Sequence, residues 1–293
     1  VVMKGILDPP RDLDPVIDEY ANLLDQLAKK WHAAGKISSD FAGLPFDKRL
    51  IEVARETEGR YLKHFDISLN SQIGMGEGEN QIHLGSAVFN LLTSPRLLDA
   101  VEIFIGPEIY SNPVQHVRIK PPEHVLPEDQ RVNSGLGRTQ WHQDMGVVSE
   151  EADHTNMITV WIPVSEATEQ NGCLAVVPSS HTDGLTLHCG KSYGRTPSTS
   201  MEIPDHLLRG EPVPIPMSPG DVLFMTKTTQ HSSLKNLSNG IRWSFDIRYN
   251  PTGQPTGRSE YPGFVARSRS NPKSVLPNRD AWEALWVDAN RKL

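Results

Sequence analysis

Apolar residues in the first third of the chain recur at helical spacing. Val16, Tyr20, Leu23, Leu24, Leu27 and Trp31 form one stripe between Asp14-Pro15 and Gly35. That pattern predicts an amphipathic helix with Asp14 as N-cap, Pro15 in its first turn and a glycine past its end. Two more helices are expected, from about Asp47 to Phe65 and from about Ser94 to Ile105, the latter opened by Ser94-Pro95 and closed by Gly106. A one-sided apolar stripe has to be covered, so all three helices are assigned to the outside of a sheet.

From about Pro113 the pattern changes. Short runs rich in valine, isoleucine, threonine and tryptophan are separated by proline, glycine, asparagine and serine, as in antiparallel strands that build a barrel or sandwich. Strands are expected near Val114–Lys120, Met157–Val164, Cys173–Val177, Asp221–Met225 and Arg242–Asn250, and a long polar insertion from about Thr182 to Pro216 reads as a lid. No repeat or linker-like break divides the chain. One domain over 1–293 is therefore expected, with mostly helical support over 1–110, a barrel core over 111–250 that carries the insertion at about 182–216, and a C-terminal extension over 251–293.

Composition acts mainly by exclusion. With 37% hydrophobic and 22% charged residues the chain has the make-up of a globular protein rather than a disordered one. A net charge of −7 argues against nucleic acid or an anionic membrane as partner, so a small-molecule substrate is expected. Two cysteines, Cys173 and Cys189, are too few for a disulfide framework. The opening residues lack the apolar stretch of a signal peptide, and no run approaches a membrane span. Cytoplasm is the expected compartment; the oligomeric state is not legible.

The candidate chemistry lies in histidine and aspartate spacing. Iron(II) enzymes that activate dioxygen commonly use two histidines and one carboxylate, and a His-x-Asp pair supplies two of these from one turn. The pair occurs three times, as His64-Phe65-Asp66, His142-Gln143-Asp144 and His181-Thr182-Asp183, so spacing alone does not choose. Context does. His64 and Asp66 end a predicted helix and read as a surface or capping pair; His181 ends a strand at the insertion and reads as structural. His142-Gln143-Asp144 lies between β segments, and His231 precedes another strand far downstream, so the two can meet across a barrel mouth.

Arg242 opens that later strand. Period two puts Arg242, Ser244, Asp246 and Arg248 on one face and Trp243, Phe245, Ile247 and Tyr249 on the other. A polar face is either the solvent side of a sheet or the lining of a site. Beside a histidine one loop earlier the lining is preferred, because a guanidinium fork there can hold the distal carboxylate of a dicarboxylic cosubstrate. No His-Glu-x-x-His helix points to a zinc hydrolase, and Gly74-x-Gly76-x-Gly78 lacks the ending of a phosphate loop. His188, Lys191, Tyr193 and Arg195 in the insertion could meet an anionic substrate, but a solvated loop is the preferred reading.

An ordered string of motifs resembles the phytanoyl-CoA dioxygenase family, a branch of the iron(II)- and 2-oxoglutarate-dependent oxygenases. It runs Ile119-Lys120-Pro121-Pro122, Trp141-His142-Gln143-Asp144, Val160-Trp161-Ile162-Pro163, Asn171-Gly172-Cys173-Leu174, Pro178-Ser179-Ser180-His181, Pro219-Gly220-Asp221-Val222-Leu223-Phe224, then His231 with Ser233, and Arg242. The resemblance implies a mainly β fold with helical additions (α+β): a double-stranded β-helix, or jelly-roll/cupin-like barrel, backed by N-terminal helices. It implies His142, Asp144 and His231 as metal ligands and catalytic centre, with Fe(II), 2-oxoglutarate and O2 as cofactor and cosubstrates. It implies Arg242 on the 2-oxoglutarate C5 carboxylate, with Ser233, Gln140, Trp161 and Thr159 near the cosubstrate. Many members carry glycine where Ser179 stands. Asp144 keeps the carboxylate that related halogenases lack, which favours hydroxylation, or another hydrogen abstraction such as desaturation. The rival reading is a non-catalytic metal- or metabolite-binding barrel.

Overall fold

The computed structural model describes residues 1–59, 61–68, 82–131, 135–193 and 196–291. The Gly74-x-Gly76-x-Gly78 stretch, Arg195, and the side chains of Lys191 and Tyr193 lie outside that description. Among the described residues there are eleven strands: β1 Val2–Met3, β2 Ile109–Lys120, β3 Ile158–Pro163, β4 Leu174–Val176, β5 Cys189–Tyr193, β6 Thr196–Glu202, β7 Val213–Ile215, β8 Val222–Thr226, β9 His231–Ser233, β10 Arg242–Pro251 and β11 Phe264–Arg267. Six α-helices accompany them among the described residues: α1 Asp14–Ala33, α2 Phe46–Thr57, α3 Leu62–Phe65, α4 Ser86–Leu92, α5 Pro95–Ile105 and α6 Arg279–Asn290.

The strands form a six-stranded antiparallel sheet in the order β1-β8-β3-β10-β2-β11, a three-stranded one in the order β7-β4-β9, and the β5-β6 hairpin. Trp161, Leu223 and Met225 of the large sheet pack with Leu174, Cys173 and Met217 on the small sheet's side. Two curled sheets thus face each other across an inner apolar cluster, the arrangement of a jelly roll.

The helices cover the other face of the large sheet. Tyr20 of α1 packs on Trp243 and Phe245 of β10, with ring centroids 5.0 and 6.3 Å away. Phe104 of α5 stacks on Phe224 of β8 at 5.0 Å, and the Tyr249 hydroxyl donates to the Leu92 carbonyl in α4 at 2.7 Å. Each such aromatic contributes about 1.5–3 kcal/mol by burial. Because this outer face takes all the odd members of β10, the even members face inward. The polar face read from Arg242–Tyr249 therefore lies between the sheets and not in solvent, with Arg242, Ser244 and Arg248 all buried.

Several expectations need correction. The helix expected from Asp47 to Phe65 breaks after Thr57, where Glu58 (φ 50°) and Gly59 (φ 78°) take left-handed conformations, so two short helices stand where one was read. Asp14 lies inside α1 rather than capping it, because a turn of π-helix over Pro9–Leu13 leads directly into the helix. His64 and Asp66 are buried, not a surface pair. Asp66 accepts from the backbone N–H groups of Ile67 and Val117, both at 2.9 Å, and meets His116 Nδ1 at 2.8 Å, which ties the end of α3 to β2. His181 is exposed. The stretch read as an insertion ends inside the barrel, since β7 pairs with β4. Beyond the barrel, α6 buries Trp282 and Trp286, with Trp282 against Phe89 and Phe264.

Candidate metal centre

Backbone pairing brings two distant histidines side by side. His142 N–H donates to the His231 carbonyl and His231 N–H to that of His142, each at 3.0 Å, an isolated antiparallel bridge at the end of β9. The rings sit 4.1 Å apart between centroids. Each Nδ1 lies against a carbonyl two residues upstream, His142 on Gln140 at 2.9 Å and His231 on Thr229 at 3.0 Å. A carbonyl only accepts, so both Nδ1 atoms carry the proton and both Nε2 lone pairs are free to ligate.

Asp144 opens the turn after His142 and is 1% exposed. It accepts from the Thr159 hydroxyl through Oδ2 and from Arg248 Nη2 through Oδ1. One ligating atom from each of His142, Asp144 and His231 lies within 4.8 Å of the other two. Burial works to raise the Asp144 pKa, but the positive charge of Arg248 and the two nearby imidazoles hold the carboxyl below its ordinary range. Burial and the neighbouring His231 push His142 down to about 3. At neutral pH the cluster therefore offers a carboxylate and a neutral imidazole at His142, protonation states that suit a divalent cation.

A second cluster lies where β10 begins. Arg242 and Lys120 are cross-strand partners and each is 1% exposed. Arg242 donates from Nε to the Gly172 carbonyl at 3.1 Å and from Nη1 to the Ser244 hydroxyl, and its guanidinium carbon sits 5.6 Å from the centre of the Trp161 ring. Gly172 has φ 93°, and a Cβ there would come within 2.7 Å of the Leu234 carbonyl, so glycine is required where this carbonyl aims at Arg242. Lys120 donates to the Ser233 hydroxyl, which accepts the Thr139 N–H at 2.9 Å. Burial, then Arg118, lowers Arg242 to about 9, and burial, then Arg242, lowers Lys120 well below the usual lysine value. Among the described residues no carboxylate forms an ion pair with either cation. Buried charges without a counter-ion are costly, so the chemistry of this pair suits an anion.

The turn from His142 to Asp144 is latched from the insertion. Gln143 N–H donates to His188 Nε2 at 3.0 Å, while His188 Nδ1 donates to the Thr186 carbonyl at 2.8 Å. The Gln143 side chain bonds the Gly184 and Thr228 carbonyls and accepts the Thr186 N–H at 2.7 Å. His188, read from the sequence as part of a solvated loop, is buried.

The residues expected at the site fall into two groups. His142, Asp144 and His231 form the metal-type cluster; Arg242, Ser233 and Trp161 line the cationic end. Thr159 sits against Asp144, and Gln140 enters through its backbone carbonyl. Sequence reasoning missed the roles of Arg248 and Lys120. Arg248 lay on the polar face already noted, and Lys120 within the Ile119-Lys120-Pro121-Pro122 motif, but their partners are far away in sequence.

A jelly roll with a two-histidine, one-carboxylate cluster between its sheets defines the architectural class of the non-haem metal oxygenases. The chain belongs to the phytanoyl-CoA dioxygenase (PhyH) family, whose profile matches residues 14–244, a family that uses Fe(II), 2-oxoglutarate and O2. It is 36% identical over 134 residues to methylphosphonate hydroxylase of Gimesia maris, covering 46% of this chain and 47% of that protein. It is 26% identical over 163 residues to the bovine peroxisomal phytanoyl-CoA dioxygenase, covering 55% and 45%. It is 30% identical over 149 residues to 1-deoxypentalenic acid 11-beta-hydroxylase of Streptomyces arenae, covering 47% and 50%. These matches span about half the length of the relatives. The apo structure of ThoJ, a non-heme monooxygenase, superposes with TM-score 0.54 at 18% identity, over 99% of this chain and 94% of that one, a likeness of fold. Among the described residues no helix is long and apolar enough to cross a membrane.

Proposed function

We propose that this chain is an Fe(II)- and 2-oxoglutarate-dependent oxygenase that hydroxylates an unactivated C–H bond of a small-molecule metabolite. The observation that carries the reading is the pairing of the two clusters: a buried His142-Asp144-His231 donor set and, on the same inner face, two buried cations without a counter-ion. The donor set fits iron, since two imidazoles and one carboxylate are the side chains that would hold it, with Asp144 and His142 in the protonation states a divalent cation needs. When bound, the metal would activate O2, the oxidant, one oxygen atom of which would enter the product and the other the succinate formed with CO2 from 2-oxoglutarate.

The chain's own residues do the rest. Arg248 and Thr159 hold Asp144 ionised and oriented, and the Gln140 and Thr229 carbonyls fix the imidazole tautomers. Arg242, assisted by Lys120 and Ser233, binds the C5 carboxylate of 2-oxoglutarate, with Trp161 as an apolar wall under the guanidinium. The inner cluster of Trp161, Leu223 and Met225 keeps water from that end of the site. Hydroxylation is favoured by the retained Asp144 and by relatives whose names are those of hydroxylases.

The test is a panel of small metabolites supplied with Fe(II), 2-oxoglutarate and oxygen, read by succinate release together with the mass of the products. A product heavier by one oxygen atom, formed in step with succinate, is expected. Tight metal binding with no succinate from any substrate, nor uncoupled, would favour the rival reading of a non-catalytic binding barrel.

A further inference from the structure

The cationic end of the site holds more positive charge than the cosubstrate requires. On β2, Val117 and Ile119 face the helix-covered core, which turns His116, Arg118 and Lys120 inward. Arg118 pairs across the strands with Ser244, next to the Lys120–Arg242 pair. It is partly buried, and its Nη1 is inaccessible to solvent and without a hydrogen-bond partner. Arg138 approaches from the loop whose next residue, Thr139, bonds Ser233. It too is partly buried, with Nε inaccessible and unpartnered. Among the described residues neither guanidinium donates a hydrogen bond or forms an ion pair. Both charges act on Lys120 to disfavour its protonation, which places them near the cosubstrate end rather than on a remote surface.

The C5 carboxylate brings one negative charge, and Arg242 with Lys120 already matches it. Asp246, the acidic residue on this stretch of β10, lies 3.7 Å from Arg248, and its charge also acts on Lys120 and Arg242, but among the described residues it forms no ion pair with Arg118 or Arg138. Two guanidinium groups are left without an acceptor, and partly buried N–H groups with no acceptor are unfavourable until one arrives. Guanidinium forks match the oxygens of a carboxylate, phosphonate or phosphate, which they bind bidentately.

We propose that Arg118 and Arg138 form a substrate subsite that binds an oxyanion group, so that the molecule oxidised is a small anion presenting its C–H bond to the metal centre. This rests on the oxygenase reading and narrows its substrate class. The subsite is separate from the one for 2-oxoglutarate, because the latter is completed by Arg242, Lys120 and Ser233.

The experiment uses the chain loaded anaerobically with Fe(II) and 2-oxoglutarate, titrated calorimetrically with three probes of similar length: propylphosphonate, butyrate and butanol. Both anions are expected to bind at least tenfold more tightly than the alcohol, and whichever binds more tightly names the oxyanion. Arg118→Gln and Arg138→Gln are each expected to weaken that anion about tenfold or more, leave 2-oxoglutarate affinity within about twofold, and leave the ligand-free melting temperature unchanged or higher, because a repelling charge is removed. Anions binding no better than butanol, or variants that lose 2-oxoglutarate instead, would overturn the subsite. Failure of the unaltered chain to bind 2-oxoglutarate with iron would sink the oxygenase reading itself, an outcome distinct from either.

Discussion

Arg248 donates through Nη2 to Asp144 Oδ1 at 2.5 Å, and both side chains are almost wholly buried. The same guanidinium donates through Nη1 to the Val114 carbonyl at 2.7 Å, which fixes the fork between β2 and the metal-type cluster. Breaking a buried pair leaves one charge stranded. Arg248→Met is expected to destabilise the metal-free chain by about 3–5 kcal/mol and to weaken metal binding by roughly 10–100-fold. Urea unfolding with and without Co(II) checks both, and a saturating divalent ion should restore part of the lost stability because it supplies charge to Asp144.

Lys120 should behave in the opposite sense. Its burial without a carboxylate partner costs stability until an anion arrives, so Lys120→Met is expected to leave the ligand-free melting temperature unchanged or raised. The affinity for 2-oxoglutarate should nevertheless fall by about 10–100-fold, the range of one hydrogen bond to a charged group. Thermal melting and a 2-oxoglutarate titration on the same sample separate the two effects.

The depressed pKa of Lys120 also predicts a pH profile. Burial, then the charges of Arg242 and Arg118, lower it well below 10.5. Above that lowered value the amine is neutral and no longer attracts the cosubstrate, so 2-oxoglutarate affinity should decline with rising pH well before 10.5, and the decline should be absent in Lys120→Met. The stability term runs the other way. In that window the unfolded chain holds more protons than the folded one, so Lys120's contribution to ligand-free stability improves as pH rises.

Ser179 takes φ 62°, a left-handed conformation that strains any residue with a Cβ. The relief from Ser179→Gly opposes the extra chain entropy glycine brings to the unfolded state. A net gain of up to about 1 kcal/mol is expected, measured by denaturant unfolding, with metal affinity unchanged. This position is where the family resemblance already pointed to glycine, and the backbone explains why.

What was legible depended on how local its cause was. The alternation from Arg242 to Tyr249 revealed both faces of β10, because period two is a property of the strand alone. The context of His142-Gln143-Asp144 and the later His231 anticipated the cluster. The bridge that joins His142 to His231 is a tertiary pairing at the end of a three-residue strand, too short to show in the sequence. Asp66 and His188 were misread for a related reason: their burial is decided by the backbone N–H groups of Val117 and Gln143, which arrive from other elements. The break after Thr57 left only a Glu58-Gly59 pair as a trace, and α6 was overlooked although Trp282 and Trp286 stand at helical spacing.

His142, Asp144 and His231 are expected to hold iron beside a 2-oxoglutarate site completed by Arg242. Anaerobic absorption spectroscopy of the chain with Fe(II) and 2-oxoglutarate tests this most directly. A weak visible charge-transfer band is expected that requires both additions, disappears in Asp144→Ala, and needs a higher 2-oxoglutarate concentration in Arg242→Met. No band in the unaltered chain, or the same band in Asp144→Ala at the same concentrations, would contradict it.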